Sequence, residues 1–171
     1  SKLINLKSKI NKKIRNKINN DYLKSNINDE NMHFIYTLSK LLKISDKSFI
    51  TSMNSFVGLP HRYEIFLKKK NIIFINDSKA TSFESSKFAL ASCKNIYWIL
   101  GGLPKIKDKI NLKDIKKNII KSYIIGKNIN FFKKQLNNKI NYITTHNLKN
   151  SIIKILQDIK IFKKENNTIL L

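Results

Sequence analysis

Between Ile75 and Phe83 the sequence crowds an acid, a lysine and three hydroxyls into NDSKATS, residues 76–82. A second cluster, GGLPK at 101–105, sets two glycines before a lysine. A helix beginning near Thr81 or Ser82 would present unpaired N–H groups and a partial positive charge, which together attract anions. Thr81 and Ser82 add hydroxyl donors there, and Lys79 adds a full charge. Asp77 is suited to accept from sugar hydroxyls or to help hold a metal ion through water. Gly101 and Gly102 let a backbone come close to a ligand, and Lys105 offers a point charge. Lysines and hydroxyls on two loops suit a small molecule bearing carboxylates or phosphates. Taken alone, DSKATS reads equally well as an ordinary helix cap beside a solvated lysine, and GG as a plain turn.

Both clusters follow apolar, β-branched runs. From Tyr63 onward, strands are predicted at Tyr63–Leu67, Ile72–Ile75, Asn95–Leu100, Ser122–Ile125, Asn141–Thr144 and Thr168–Leu171. Helical spacing fits between most of them: Phe83–Ser92, the set Leu112, Ile115 and Ile119, the set Ile129, Phe132 and Leu136, and the set Leu148, Ile152, Ile155 and Ile159. Strands alternating with helices predict an α/β fold with a mostly parallel sheet. In such sheets ligands bind beyond the carboxyl ends of the strands, where both clusters fall. Upstream, residues 28–43 predict a helix with Met32, Ile35, Leu38 and Leu42 on its buried face and Asn28 as its N-cap. A second helix is expected over Lys47–Phe56. Gly58 and Pro60 then break the chain and set a domain boundary, 1–57 against 58–171. Ile10, Ile14, Ile18 and Leu23 have partly helical spacing without an evident partner, as in the tail of a preceding domain.

The 171 residues suffice to bury on the order of two thirds of the unfolded surface. No apolar run approaches the roughly 20 residues that span a bilayer, and residues 1–20 hold no signal-peptide block. A lone cysteine, Cys93, excludes an internal disulfide and suits a reducing, cytoplasmic setting. The net charge of +23 invites a nucleic-acid reading. Yet the lysines are spread evenly, and Arg15 and Arg62 are the only arginines, whereas base readers favour the bidentate guanidinium. Enrichment in Lys, Asn and Ile, which share A- and U-rich codons, accounts for the charge without a specific nucleic-acid partner. The chain opens on Ser1 and closes on the strand-like TILL, so a piece of a longer protein is expected.

GLPHR at 58–62, NDSKAT at 76–81 and GGxxK at 101–105, in that order, resemble the Mur ligase family, and within it the ligases that add D-glutamate to a peptidoglycan precursor. LASCKNIYWILGGLPK looks like the alphaproteobacterial form, and the resemblance runs from about Asn28 to the last residue. It implies a three-domain enzyme. This chain would supply the helical end of the central ATP-binding domain and most of a Rossmann-like C-terminal domain that binds the amino acid. The implied reaction is ATP-dependent amide formation: the carboxylate of UDP-N-acetylmuramoyl-L-alanine is phosphorylated, and the D-glutamate amine attacks the acyl phosphate. By the same resemblance, Thr81 and Lys105 are implied to hold the D-glutamate carboxylates. Arg62, Asp77 and Lys79 are implied near the nucleotide. Asn28 and Asn31 match the asparagines of an HNxxN motif, the second implied to meet adenine. Mg²⁺ is implied, with its main ligands outside this chain.

The sequence departs from the family pattern at Asn26, Ile27 and Ser82, which replace Gly, His and Asn. No GxxxxGK[ST] phosphate loop is present, nor is an SPxxxSFD-type segment, so the chain alone is expected to be inactive, with no catalytic residue of its own. His61 is expected to pack in its turn, His33 and His146 to be structural, and Cys93 and Trp98 to lie in the core. A monomer without membrane insertion is expected. The alternatives are a catalytically decayed remnant, a basic nucleic-acid-binding module, or a related amide ligase of the same fold.

Overall fold

A computed structural model describes residues 10–20, 22–23, 28–105 and 108–171. The expectations attached to Asn26 and Ile27 lie outside them. The chain divides at Gly58 into two compact units.

Among its described residues the first unit holds three α-helices, α1 (Lys12–Lys17), α2 (Asp29–Leu41) and α3 (Asp46–Ser55). The side chain of Asn11 caps α1 by accepting from Lys13 N–H, and Ser45 caps α3 by accepting from Ser48 N–H, so each helix start has one of its unpaired donors satisfied. Ile10, Ile14, Ile18 and Leu23 do have partners: they form one core with Met32 and Phe49. Arg15 ties this end together, donating to the Leu23 carbonyl (2.9 Å) and to Asp29 (3.0 Å). The buried face of α2 differs from the expected one. Met32 and Ser39 are buried, whereas Ile35, Leu38 and Leu42 are exposed. The helix is apolar on two sides, and periodicity alone does not say which side its neighbours cover. His33 also has a partner, its Nδ1 accepting from Ile10 N–H at 3.3 Å.

The second unit is a six-stranded sheet in the order β1-β2-β6-β3-β4-β5, built from β1 (Glu64–Lys69), β2 (Ile72–Asn76), β3 (Ile96–Leu100), β4 (Ile119–Ile125), β5 (Tyr142–His146) and β6 (Asn167–Leu170). Only β1 is antiparallel to its neighbour; the other pairings are parallel. Helices α4 (Phe83–Ser92), α5 (Ile129–Leu136) and α6 (Leu148–Phe162) cover the sheet. Side chains alternate across the central strand β3. Ile96, Trp98 and Leu100 pack with α4 and α5, while Tyr97 and Ile99 face Ile155 of α6. All five residues of β3 are buried, as a parallel strand covered on both faces requires. Cys93 and Trp98 lie in this core.

The helix expected at Leu112–Ile119 does not form. A short 3₁₀ turn, Lys116–Asn118, leads straight into β4, of which Ile119 is the first residue. Leu112, Ile115 and Ile119 are nonetheless all buried in the core with α4 and α5. Tight turns, with Leu112 carbonyl accepting from Ile115 and Lys116 N–H, can satisfy three apolar residues at that spacing as well as a helix can. On α6, Leu148 is exposed, and Ser151 and Asp158 are buried beside Ile155. Among the described residues, no helix is long and apolar enough to cross a membrane.

Candidate functional site

The chain leaves β2 through a hydrogen bond from Asp77 N–H to the Leu171 carbonyl (2.6 Å) and enters α4 six residues later. The loop between is held from its far side by the GLPHR turn. Tyr63 N–H donates to Asp77 Oδ1 (2.9 Å), Lys79 N–H donates to the His61 carbonyl (3.0 Å), and Asn76 Nδ2 lies 2.7 Å from His61 Nδ1. The His61 ring is exposed rather than packed, held to the loop by Asn76, and its backbone N–H reaches Glu64 (2.9 Å). His61 and Tyr63 both adopt positive φ, at 64° and 46°. Left-handed backbone is uncommon for residues other than glycine, and here it brackets Arg62. Burial pushes the Asp77 carboxyl above the ordinary carboxylate range, against the opposing pull of the Tyr63 N–H and the Arg62 charge.

Ser82 caps α4 by accepting from Ser85 N–H at 3.2 Å. The next donor, Phe83 N–H, is 3.2 Å from each carboxylate oxygen of Asp108. Helix α4 thus begins with a carboxylate of the protein's own already against it. Across the sheet end, β3 stops at Leu100 and the chain turns through Gly101 and Gly102. A Cβ on Gly101 would sit 2.5 Å from the Ile125 carbonyl oxygen, closer than atoms can approach, so only glycine fits beside β4. Gly102 has φ of 102°, and its carbonyl accepts from Asn128 Nδ2 at 2.8 Å.

These loops meet around one cavity of about 370 Å³ at the carboxyl ends of β2, β6 and β3. Its wall includes Asp77, Thr81, Gly101, Gly102 and Asp108 over an apolar floor of Trp98 and Leu170. The structure therefore brings Asp77 and Thr81 together with the glycine loop. Arg62, Lys79 and Lys105 are exposed and outside the cavity wall, Lys105 one residue beyond wall residue Pro104. Asn28 and Asn31 belong to the first unit. Asn28 precedes α2 and is half-buried, but its side chain makes no capping bond; its Nδ2 donates instead to the Tyr22 carbonyl (2.8 Å). Asn31 is exposed on α2. Among the described residues, no group of three or more His, Cys, Asp or Glu side chains could hold a metal ion.

Asp108, Asn128 and Gln135 escape a reading of the sequence, because nothing local shows that their side chains reach other elements. For Asp108 one signal exists: it is an isolated acid in the lysine-rich KIKDK.

No family model matches the chain. Curated proteins do. At 40% identity over 144 residues, the chain is similar to the UDP-N-acetylmuramoylalanine–D-glutamate ligase of Wolbachia sp. subsp. Brugia malayi, the match covering 84% of this chain and 29% of that protein. The ligase of the same name from Wolbachia pipientis wMel is 36% identical, over 72% of this chain and 24% of its own length. That of Rhizobium meliloti is 38% identical, over 64% and 24%. A solved murein peptide ligase from Psychrobacter arcticus is 13% identical with a TM-score of 0.40, covering 82% of this chain and 32% of that one, too loose a likeness for anything to be carried across. The chain spans less than a third of the length of the curated relatives it matches. Within that span, the motifs and the curated matches agree, and the chain belongs to the family of UDP-N-acetylmuramoylalanine–D-glutamate ligases.

Proposed function

We propose that this chain is the part of an ATP-dependent ligase that positions D-glutamate, and one side of the nucleotide, for joining D-glutamate to UDP-N-acetylmuramoyl-L-alanine. The observation that carries the reading is the shared cavity. In a chain of this family, the loop after β2 and the loop after β3 line one space at the carboxyl end of a parallel sheet. A space of this size suits a small molecule.

In this reading the first unit is the end of the central ATP-binding domain, and the second is the amino-acid-binding domain of a cytoplasmic enzyme. Thr81 and Lys105 take the D-glutamate carboxylates. Arg62 and Lys79 are exposed cations on the loops that meet at Asp77, a set that fits phosphate and sugar groups, with Asp77 the one carboxylate among these three for Mg²⁺. For Asn28 and Asn31, within the first unit, the proposed role is to bind nucleotide, Asn31 through its adenine. ATP, when bound, supplies the phosphoryl group that activates the carboxylate of the UDP-linked substrate. The residues of this chain bind, orient and exclude water, so that the amine arrives at a fixed distance and angle; such positioning lowers the barrier by removing the entropy of encounter.

The test is phosphate release by the product of the complete gene, supplied with ATP, Mg²⁺ and UDP-N-acetylmuramoyl-L-alanine, with either D- or L-glutamate. Release is expected only with D-glutamate. Release with neither isomer from a folded protein would contradict the reading and favour a decayed remnant. Preference for L-glutamate would point to another amide ligase.

A further inference from the structure

Lys105 sits on the loop after β3 and Thr81 on the loop after β2. If both hold one small molecule, something must fix the distance between the loops. Asp108 makes the contacts that would do so. Its backbone N–H donates to the Lys105 carbonyl at 3.1 Å, tying it directly to that residue. Its carboxylate accepts from Phe83 N–H, with both oxygens at 3.2 Å, and so grips the first turn of the helix that the Thr81 loop begins. Its carbonyl accepts from Gln135 Nε2 on α5 at 3.4 Å, while Gln135 Oε1 accepts from Ile110 N–H at 3.1 Å. Asp108 is half-buried and forms part of the cavity wall.

We infer that Asp108 is a positioning residue: it ties Lys105 to the start of α4 and thereby sets Lys105 against Thr81. The inference rests on the proposed assignment of those two residues to D-glutamate. A carboxylate suits the task because it is stabilised by the positive end of the helix. It also has a second consequence. The first free donor of α4 is taken by the protein's own anion, so a ligand carboxylate is left to the side chains of Thr81 and Lys105, not to the helix end. Misplacement of a binding group by an ångström is enough to matter at such a site.

The test compares Asp108→Ala, Asp108→Asn, Lys105→Ala and the double variant Asp108→Ala/Lys105→Ala in the complete enzyme. Asp108→Ala should raise KM for D-glutamate about tenfold, as loss of a charge-assisted hydrogen bond implies, and leave KM for ATP unchanged. Asp108→Asn keeps an acceptor and should recover most of the loss. Because Asp108 acts through Lys105, the double variant should be little worse than Lys105→Ala alone. Hydrogen exchange at the Phe83 amide should quicken in Asp108→Ala. Additive losses, a fall in thermal stability with KM for D-glutamate unchanged, or unaltered Phe83 exchange would each overturn the positioning role. If Lys105→Ala raises KM and Asp108→Ala does not, the positioning role alone fails. If Lys105→Ala leaves KM unchanged, the assignment of Lys105 fails and takes the positioning role with it.

Discussion

Asp77 shows how much one residue is asked to do at the start of this site. Its backbone N–H reaches the Leu171 carbonyl just beyond β6, one carboxylate oxygen accepts from Tyr63 N–H just after the GLPHR turn, and its carbonyl accepts from Ala80 N–H. A residue bonded in three directions fixes the loop that carries Thr81. Replacing it removes a brace to Tyr63 and, under the proposed function, a nucleotide contact. Asp77→Ala in the complete enzyme is expected to raise KM for ATP by about tenfold or more, on the scale of a hydrogen bond to a charged group. Unchanged ATP kinetics would remove Asp77 from the nucleotide site. Residues of this kind were legible because their types are dense in a short stretch. Asp108 was not, because its role appears only when a residue 25 positions away, Phe83, is brought beside it. Likewise the special backbone at His61 and Tyr63 leaves no mark in composition, since neither is a glycine.

Elements carry the site by where they stop. The strand pattern from Tyr63 onward was readable because buried parallel strands are short, continuous apolar runs set off by polar loops, as in IYWIL at 96–100. Helices were less readable where few residues carry the period. Leu112, Ile115 and Ile119 are as buried as a helix would make them, yet they sit on turns and a strand start. On α2, apolar residues on two faces left the buried side to be decided by α1 and α3, which only the tertiary structure supplies. On the opposite face of the sheet from α4 and α5, α6 is fastened by a buried charge. Asp158 accepts from Lys121 Nζ (2.8 Å) and Tyr123 Oη (2.7 Å) on β4. Burial alone would push its carboxyl up, but these donors and the nearby Lys154 outweigh it and hold it below the ordinary range. Such a group stabilises the fold fully above the unfolded carboxylate pKa of about 4, and its contribution is lost as pH falls through the folded value. Asp158→Asn should thus cost about 3 kcal/mol at pH 7, the scale for breaking a buried pair. It should also flatten the loss of stability below about pH 4. Urea unfolding of both proteins at pH 7 and pH 3 checks this, and equal stabilities at pH 7 would contradict it.

At the scale of the molecule, 34 basic and 11 acidic residues make the lysines poor guides and the acids good ones. Asp29 meets Arg15, Asp46 meets Lys40 and Tyr36, Glu64 meets His61 N–H, and Asp77, Asp108 and Asp158 each hold a link between elements. The lysines instead lie mostly on exposed faces, including Lys68 and Lys69 on β1, where charge on an edge strand discourages pairing with another chain. Their excess predicts weak, salt-sensitive attraction to polyanions and gives no site. The proposed function requires Thr81 and Lys105, on separate loops, to hold D-glutamate together. The most direct measurement is KM for D-glutamate and for ATP in Thr81→Ala and Lys105→Ala forms of the complete enzyme. Each should raise KM for D-glutamate about tenfold or more and leave KM for ATP near that of the unaltered enzyme. Unchanged KM for D-glutamate in both variants, with the enzyme folded and active, would contradict it.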